Sequence, residues 1–370
     1  MPTIAYFDPS FRFPQNLKID LGMDHRFPWG VVATLDLLYT RSVHQFAERD
    51  VNLVGPSGVA AGEGGRVLYG TIDPASGRVT PNRRSANFGP VIEITNGRGD
   101  RAYSLTGQLQ KRFGNGTELS VAYTYTDAKD RMSAAGDFAF TNLGSTPVDG
   151  TLENRNLRTA FWDTPHKVTL IGTFNLPLDV GLSLIYSGSS GGPYTYVVRG
   201  DANADGVGDP NDYRLNDAIY VPRDASDITL ATPGDFAKLD QYIQAEACLR
   251  SQRGQVFQRN SCRDAWVNLT SARLTKVFPL FHGHSLQVSA DIFNLLNLLN
   301  SDWGVVRRTV DEFGGRVPGH EIDVLELIGY DTANSRGVYR VLPNALTPTQ
   351  HRIFPNLSRW RLQLSARYAF

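Results

Sequence analysis

Hydrophobic and polar residues alternate with a period of two along several long stretches of the chain. Between two of its turns, Leu119, Val121 and Tyr123 point to one side, while Ser120 and Thr124 point to the other. Successive side chains of a β-strand point to opposite faces, so this pattern predicts strands with one apolar and one polar face. The stretches with this pattern are 17–27, 31–40, 103–113, 118–126, 167–176, 180–186, 285–292 and 360–370. The segment 264–278 is also predicted as a strand, but its alternation is less regular, with Leu269 and Leu274 on opposite faces.

The predicted strands are long. A strand that crosses a membrane needs about 9–11 residues, whereas a typical strand of a soluble protein has about 5–6. Tyr and Phe residues also gather near the strand ends, for example Tyr39 and Phe113. Aromatic girdles occupy such positions at the two membrane interfaces of outer-membrane barrels. Length and aromatic placement therefore favour membrane-spanning strands over the alternative, a soluble β-sandwich.

The connections between strands are alternately short and long. Long loops of this kind argue against a compact soluble domain, whereas short turns on one rim and long loops on the other are typical of outer-membrane barrels. The short turns are at 28–30, 114–116, 177–179 and 279–283, and the long connections are at 44–100, 132–162, 199–263 and 297–357. We therefore predict an all-β, transmembrane antiparallel β-barrel with long extracellular loops.

The number of predicted strands is odd. Four hairpins and a final strand make about nine strands, and the first and last members of such an antiparallel set run in the same direction. They cannot pair antiparallel with each other to close a barrel. We therefore expect residues 1–370 to be the C-terminal portion of a larger barrel.

Composition excludes several other classes of protein. The 37 basic and 37 acidic side chains balance, which argues against nucleic acid as a partner because phosphate binding needs a basic surplus. No apolar run reaches the 18 or so residues of a membrane helix. We find no nucleophile motif, phosphate-binding loop or dinucleotide fingerprint, and so expect no enzyme.

One acidic segment matches the calcium-loop pattern D-x-N-x-D-G. Oxygen ligands are expected at alternate positions, and the glycine allows the sharp turn that brings them together. The candidate ligands are Asp201, Asn203, Asp205, the backbone carbonyl of Val207, Asp209 and Asp212. Such a site would hold Ca²⁺ and order an extracellular loop. The alternative is a solvated turn rich in Asp, Asn and Gly.

The chain has two cysteines, Cys248 and Cys262, in the same predicted loop. In an exported protein they are expected to form a disulfide, although two unpaired thiols remain the alternative. Residues 234–250 carry apolar side chains at helical spacing, including Leu239 and Ile243. We expect a short helix in this loop, held in place by the disulfide.

Several segments resemble one family of outer-membrane proteins. Residues 291–297 resemble the penultimate-strand motif of TonB-dependent receptors, and 111–125 are similar to one of their hairpins. Residues 217–224 and 266–269 look like the Oar-like subgroup, which usually carries an N-terminal carboxypeptidase-regulatory-like domain. The terminal Tyr368 and Phe370 resemble the C-terminal assembly signal of bacterial outer-membrane barrels. The resemblance extends over essentially the whole chain.

The resemblance implies a plugged barrel of about 22 strands, of which residues 1–370 would be one partial-barrel domain. The plug, the TonB box and the signal peptide would lie outside this domain. The expected partners are outer-membrane lipid, the remainder of the receptor, the TonB complex and the barrel assembly machinery. The polar residues expected to face the lumen are Glu118, Lys167, Asp291, Arg361, Gln363 and Arg367.

The leading hypothesis is a receptor and transporter of the bacterial outer membrane, with TonB-energised uptake of an unidentified ligand. A binding or adhesion barrel without active transport is the second hypothesis. A soluble, secreted β-protein is the third.

Overall fold

The computed structural model describes residues 1–133, 136, 138–208, 214–309, 320–342 and 352–370, with the backbone alone at 320, 321 and 352. The strands of these ranges are, in chain order, β1 (Ile4–Phe7), β2 (Gln15–Arg26), β3 (Val31–Asp50), β4 (Gly58–Ala60), β5 (Arg66–Leu68), β6 (Gly70–Ile72), β7 (Val79–Pro81), β8 (Val91–Gly97), β9 (Arg101–Arg112), β10 (Glu118–Asp130), β11 (Arg158–Thr159), β12 (His166–Leu176), β13 (Val180–Ser189), β14 (Pro193–Arg199), β15 (Tyr220–Val221), β16 (Thr229–Leu230), β17 (Gln255–Val256), β18 (Cys262–Arg263), β19 (Val267–Pro279), β20 (Ser285–Phe293), β21 (Arg307–Arg308), β22 (His320–Asp331), β23 (Arg336–Val341), β24 (Arg352–Ile353) and β25 (Arg361–Ala369).

The helices are short. In the described ranges they are α1 (Ala139–Ser145), α2 (Phe236–Ala245), α3 (Ala247–Arg250), α4 (Leu295–Leu299) and α5 (Pro355–Ser358). Single 3₁₀ turns lie at Ala61–Glu63, Ala225–Asp227, Pro233–Asp235 and Phe281–Gly283. None of the helices described is both long enough and apolar enough to cross a membrane.

The main sheet contains the nine strands that the alternating pattern predicts. Within the described residues they lie side by side in the order β2, β3, β9, β10, β12, β13, β19, β20 and β25, each antiparallel to the next. Four hairpins therefore precede the last strand. The predicted short turns join β2 to β3, β9 to β10, β12 to β13 and β19 to β20.

The strand register gives the sheet one apolar and one polar face. Residues directly opposite each other in antiparallel strands share a face, so the register extends the assignment from strand to strand. Leu170 lies between Val121 and Tyr186 on the apolar face. Its neighbour Thr169 lies on the polar face, between Ala122 and Ser187. The apolar face is exposed, as a surface that contacts lipid would be.

Strands β2 and β25 are the two edges of the sheet as far as the described residues show. Every residue of both strands is exposed, including Leu21 and Leu364 with more than half of their surface accessible. An edge strand leaves a row of backbone N–H and C=O groups without partners, which cannot remain so in lipid. Each edge therefore needs a further strand beside it in a membrane.

The long loops fold together into a cap at one end of the sheet. It contains a second sheet of five strands among the described residues, in the order β16, β23, β22, β14 and β18. The hydrophobic core lies in this cap and includes Tyr196, Ile243 and Phe257, each almost fully buried. The long connections are thus folded over much of their length. The core lies in the cap because the strands of the main sheet have one exposed apolar face and one polar face, and neither face packs as a hydrophobic core.

Strand β3 links the membrane sheet to the cap. Its pairing with β9 ends at Arg41, and residues 45–50 continue beyond it to pair with β8. Strand β8 also pairs with β1 in parallel. The sequence near 66–72 and 90–96 also predicts a minor hairpin within the first long loop. This hairpin is not formed, because β8 pairs with β3 and β1, while β6 pairs with β7.

Candidate functional site

The cap encloses a cavity of about 700 Å³ near the outer end of β3. Its wall includes residues 45–51 and 95–98, helix α1, residues 152–155, and the loop at Asp205 and Val207. Strands and a helix thus provide much of the wall, which positions the lining side chains on fixed backbone. The volume lies within the range of small-molecule sites, about 300–1,000 Å³.

Three buried charged side chains line this cavity, namely Glu48, Arg155 and Asp205 of the predicted calcium loop. Glu48 is 7% exposed and Arg155 is 8% exposed. Asn142 donates its Nδ2 to Glu48 Oε1 at 3.2 Å, and Arg155 donates its Nη1 to the carbonyl oxygen of Thr146 at 3.1 Å. In the part of the chain that the structure describes, Glu48 Oε2 and the Nε and Nη2 of Arg155 have no hydrogen-bond partner.

Burial shifts the pKa values of Glu48 and Arg155. Burial raises the pKa of Glu48 to about 7, although Asn142 and Arg155 oppose this. Burial, together with the nearby Arg259, lowers the pKa of Arg155 to about 10, so that Arg155 remains charged at neutral pH. Near neutral pH the cavity therefore holds a cation with two free donors and a carboxyl group that exchanges its proton.

The rest of the cavity wall has a mixed character. Met132 and Leu143 are buried apolar side chains of the wall, and Phe140 lies beside them on α1. Tyr69 donates its hydroxyl to Glu153 Oε2 at 2.7 Å and accepts the backbone N–H of Leu152 at 2.9 Å. The cavity can therefore accept a molecule with both an apolar and a charged part.

The first three predicted side-chain ligands of the calcium loop lie together in the cap. Asp201, Asn203 and Asp205 are all buried. The backbone N–H of Asp205 donates to Asp201 Oδ1 at 3.0 Å and to Asn203 Oδ1 at 2.9 Å, and that of Gly206 donates to Asp201 Oδ2 at 2.7 Å. The Val207 N–H donates to Asp205 Oδ1 at 2.8 Å. The other two predicted ligands, Asp209 and Asp212, lie outside the described residues.

A further carboxylate and an amide join this loop. Asp217 Oδ2 accepts the backbone N–H groups of Ala202 and Asn203 at 2.7 and 3.1 Å. Asn216 donates its Nδ2 to Asp205 Oδ2 at 2.8 Å. Burial and the two other carboxylates raise the pKa of Asp201, and burial raises that of Asp217 to about 7. The fold thus places three carboxylates in one buried region, although the described residues form no recognisable metal-ligand cluster.

Arg66 neutralises one side of this acidic region. Its Nε donates to Glu63 Oε2 at 2.9 Å, and its Nη1 donates to Asp217 Oδ1 at 3.4 Å. Tyr339 donates its hydroxyl to the other oxygen of Glu63 at 2.7 Å. The two ion pairs of Arg66 are buried. Together with the hydrogen bond from Tyr339, they connect the segment after β4 to the acidic loop and to β23.

The two cysteines form a disulfide in the structure, with their Cα atoms 5.4 Å apart. It connects α3 to β18. The preceding helix α2 lies within the predicted range and buries Leu239 and Ile243 in the core of the cap. The prediction of a short helix beside the disulfide therefore agrees with the structure.

All six residues predicted for the lumen share the polar face of the sheet. The register passes from Glu118 through Thr173, Ser183, Arg273 and Asp291 to Gln363. The other three lie on the same face because each is an even number of residues from one of these on its own strand. Lys167 shares β12 with Thr173, and Arg361 and Arg367 share β25 with Gln363. Asp291 pairs with Arg273 at 2.5 Å. The six do not gather in one site but lie at different heights along the sheet.

The C-terminal residues lie at the rim with the short turns. Tyr368 is opposite Leu286 in β20, and its hydroxyl contacts Nδ1 of His284 at 2.5 Å. Phe370 follows β25, is 96% exposed, and lies beside Tyr368 with 6.1 Å between ring centroids. Both aromatic rings therefore lie at one end of an edge strand.

The sequence pattern did not identify Glu48 or Arg155. Glu48 falls in the predicted connection 44–100, into which the structure extends β3, and Arg155 lies in a loop without a recognisable motif. A charged residue in a long polar loop is ordinarily solvated, and no local pattern indicates that folding buries it. Only the packing of separate loops around the cavity brings the two residues together.

Comparisons with known proteins indicate the class of the chain. A family model described as "Outer membrane beta barrel domain" matches residues 1–302. Among solved structures, the outer membrane transporter YddB from Escherichia coli is similar with a TM-score of 0.41 and 12% sequence identity. The match covers 78% of this chain and 29% of the transporter chain, so it spans less than a third of that protein. No curated protein matches the chain.

Proposed function

The chain belongs to the family of outer membrane β-barrel domains and lies in the bacterial outer membrane, and from this premise we propose that it is part of a TonB-dependent receptor. The remainder of the receptor would supply the plug, the TonB box and the earlier strands. The polar face of the nine strands would then line the lumen, and the cap would select the ligand at the cell surface. The motifs that resemble the Oar-like subgroup support this assignment.

The observation that carries the proposal is the open sheet beneath a folded cap. Nine strands with two exposed edges require further strands in a membrane, and a cap with its own core and cavity is suited to ligand capture. The proposed role is ligand binding and transport, and it assigns no catalytic residue. A binding or adhesion barrel would share these features but would need neither a plug nor energy from TonB.

Chemical cross-linking in the native bacterium tests the proposal. An antibody against the α2 segment would recover the protein from outer membranes after formaldehyde treatment, and immunoblotting would detect TonB. We expect the uncross-linked polypeptide to be longer than 370 residues, and the TonB adduct to diminish after a protonophore dissipates the proton gradient. A protein that never cross-links to TonB, while other TonB-dependent receptors in the same membranes do, would favour the binding barrel.

We also propose that Ca²⁺ binds the acidic loop of the cap. The supporting observation beyond the motif is Asn216, which is 1% exposed. Its Oδ1 has no hydrogen-bond partner within the described residues, although its amide lies against Asp205. A cation would satisfy this oxygen and offset the repulsion among Asp201, Asp205 and Asp217. The ion would order the loop and take no part in catalysis.

Limited proteolysis of the detergent-solubilised protein tests the calcium proposal. Ca²⁺ should slow cleavage within the cap relative to a sample treated with EGTA, and Mg²⁺ should have a smaller effect. The double variant Asp201→Asn, Asp205→Asn should lose the response to Ca²⁺. Cleavage rates that are the same with Ca²⁺ and with EGTA in the unmodified protein would disprove the site.

A further inference from the structure

The cavity at the outer end of β3 has hydrogen-bonding capacity that the protein itself does not use. An unsatisfied buried donor or acceptor costs about 1–3 kcal/mol, and native structures contain few of them. Here three such atoms, on Glu48 and Arg155, belong to side chains that line one cavity. A bound molecule with complementary groups would satisfy all three.

The free atoms of Arg155 specify an anionic partner. Nε and Nη2 form one edge of the planar guanidinium, and their two N–H groups are nearly parallel. This edge matches the two oxygens of a carboxylate, as it does where Arg223 donates Nε to Oδ2 and Nη2 to Oδ1 of Asp227 elsewhere in the cap. Nη1 remains engaged with Thr146, which fixes the orientation of the guanidinium.

Glu48 specifies a second group on the same molecule. Its Oε1 is held by Asn142, and its free Oε2 can accept a hydrogen bond from an N–H or O–H donor. Met132, Leu143 and Phe140 add an apolar surface to the wall of the same cavity. The complementary ligand therefore combines a carboxylate, a hydrogen-bond donor and an apolar body.

We propose that this cavity binds a short apolar peptide through its C-terminal carboxylate. The carboxylate would sit on the Nε–Nη2 edge of Arg155, a peptide N–H would donate to Glu48, and an apolar side chain would contact Met132, Leu143 and Phe140. A peptide supplies the three groups within a few residues, a size that the cavity of about 700 Å³ accommodates. The inference rests on the proposed receptor function, because it names the ligand class of that receptor.

Calorimetric titration of the full-length protein, purified from outer membranes in detergent, tests the inference. The probes are N-acetyl-leucyl-leucine and its C-terminal amide, which differ only in the carboxylate. A charged hydrogen bond is worth about 1.5–3 kcal/mol, so the amide should bind about ten- to a hundredfold more weakly. Equal affinity for both probes, or no binding of the acid at about 1 mM, would overturn the proposal.

Variants separate a role in binding from a role in folding. Arg155→Met should reduce the affinity for the acid to that for the amide and leave the amide unchanged. Arg155→Lys should bind the acid with intermediate affinity, because it keeps the charge but loses the paired donors. Arg78→Met is the matched control, since Arg78 is an exposed arginine of the cap outside the lining of this cavity, and the affinity of this variant for the acid should stay within about twofold of the unmodified protein.

The experiment distinguishes this inference from the proposed transport function. Arg155→Met is used only if it shows the heat-modifiable gel migration of a folded barrel. If it does not, the affinities of the unmodified protein and of Arg155→Lys for the acid and for the amide still test the peptide proposal. Binding by the purified protein requires neither TonB nor a proton gradient. A negative titration would therefore reject the peptide ligand while leaving TonB cross-linking as a separate test.

Discussion

Arg259 and Asp130 show how single residues attach the cap to the membrane sheet. Arg259 belongs to the cap, and Asp130 is the last residue of β10. Arg259 donates Nη2 to Asp130 Oδ1 at 2.6 Å and to the Asp130 carbonyl oxygen at 2.7 Å, and its Nη1 donates to Ser133 at 2.8 Å. Both charged side chains are about 1% exposed. Removing one partner would leave the other charge buried without compensation.

We expect Arg259→Met to loosen the cap. Loss of one member of a buried ion pair costs about 3–5 kcal/mol, so cleavage of residues 236–263 by a protease should become much faster. Arg253→Met is the matched control, because Arg253 pairs with the more exposed Asp240 and should cost about 1 kcal/mol or less. The measurement is the cleavage rate of the folded protein. Equal rates for the two variants would contradict the assigned role of Arg259.

Glu48 should make stability depend on pH. Burial raises its pKa from 4.5 to about 7, so the folded chain binds a proton more tightly than the unfolded chain. The contribution is favourable at low pH and is lost as pH rises through about 7. Glu48→Gln remains neutral, and its stability relative to the unmodified protein should therefore increase from about pH 5 to about pH 8. Urea unfolding of both proteins measures this difference.

The comparison between the two proteins isolates Glu48 from other groups with raised pKa values. Burial also raises the pKa of Asp100 to about 6 and that of Asp217 to about 7, and both titrate in either protein. The effects of Asp100 and Asp217 on stability therefore cancel when the stability of the unmodified protein is subtracted from that of Glu48→Gln. A stability difference that stays constant across this pH range would show that Glu48 is not held in its neutral form.

At the level of elements, the membrane strands were predictable and the cap was not. Alternation predicted the nine strands because one face meets an apolar and the other a polar environment along the whole strand. The segment 264–278, where Leu269 and Leu274 lie on opposite faces, nevertheless forms β19 from Val267 to Pro279. Pairings of the cap, such as β14 with β22 in parallel, join segments far apart in sequence and leave no local period.

The disulfide should determine the stability of the segment from α3 to β18. Closing a loop of about 15 residues contributes about 3 kcal/mol in the chain-entropy description. The double variant Cys248→Ser, Cys262→Ser should therefore be cleaved faster by protease between α2 and β18 than the oxidised protein. A reductant should produce the same increase in the unmodified protein and no change in the variant. Reductant sensitivity of the variant would show that another process is responsible.

At the scale of the whole molecule, the sheet separates two environments with one layer of protein. The fold class and the outer-membrane location predicted from alternation are confirmed by the sheet and the family match. The candidate cavity was not predictable, because it depends on the packing of several loops over the end of β3. The charge balance of the chain also gave no indication of it, since opposite charges line the same wall.

The two faces of β12 provide a direct test of this arrangement with adjacent residues. Leu170 lies on the apolar face, and Thr169 lies on the polar face of the same strand. An Arg facing lipid near the middle of the membrane costs about 2–4 kcal/mol, whereas one facing the lumen is solvated. Leu170→Arg should therefore lower the yield of heat-modifiable barrel in outer membranes well below that of Thr169→Arg. If Thr169→Arg were the more damaging variant, the face that carries Thr169 would be the one that excludes charge, and the assignment of lipid and lumen would have to be reversed.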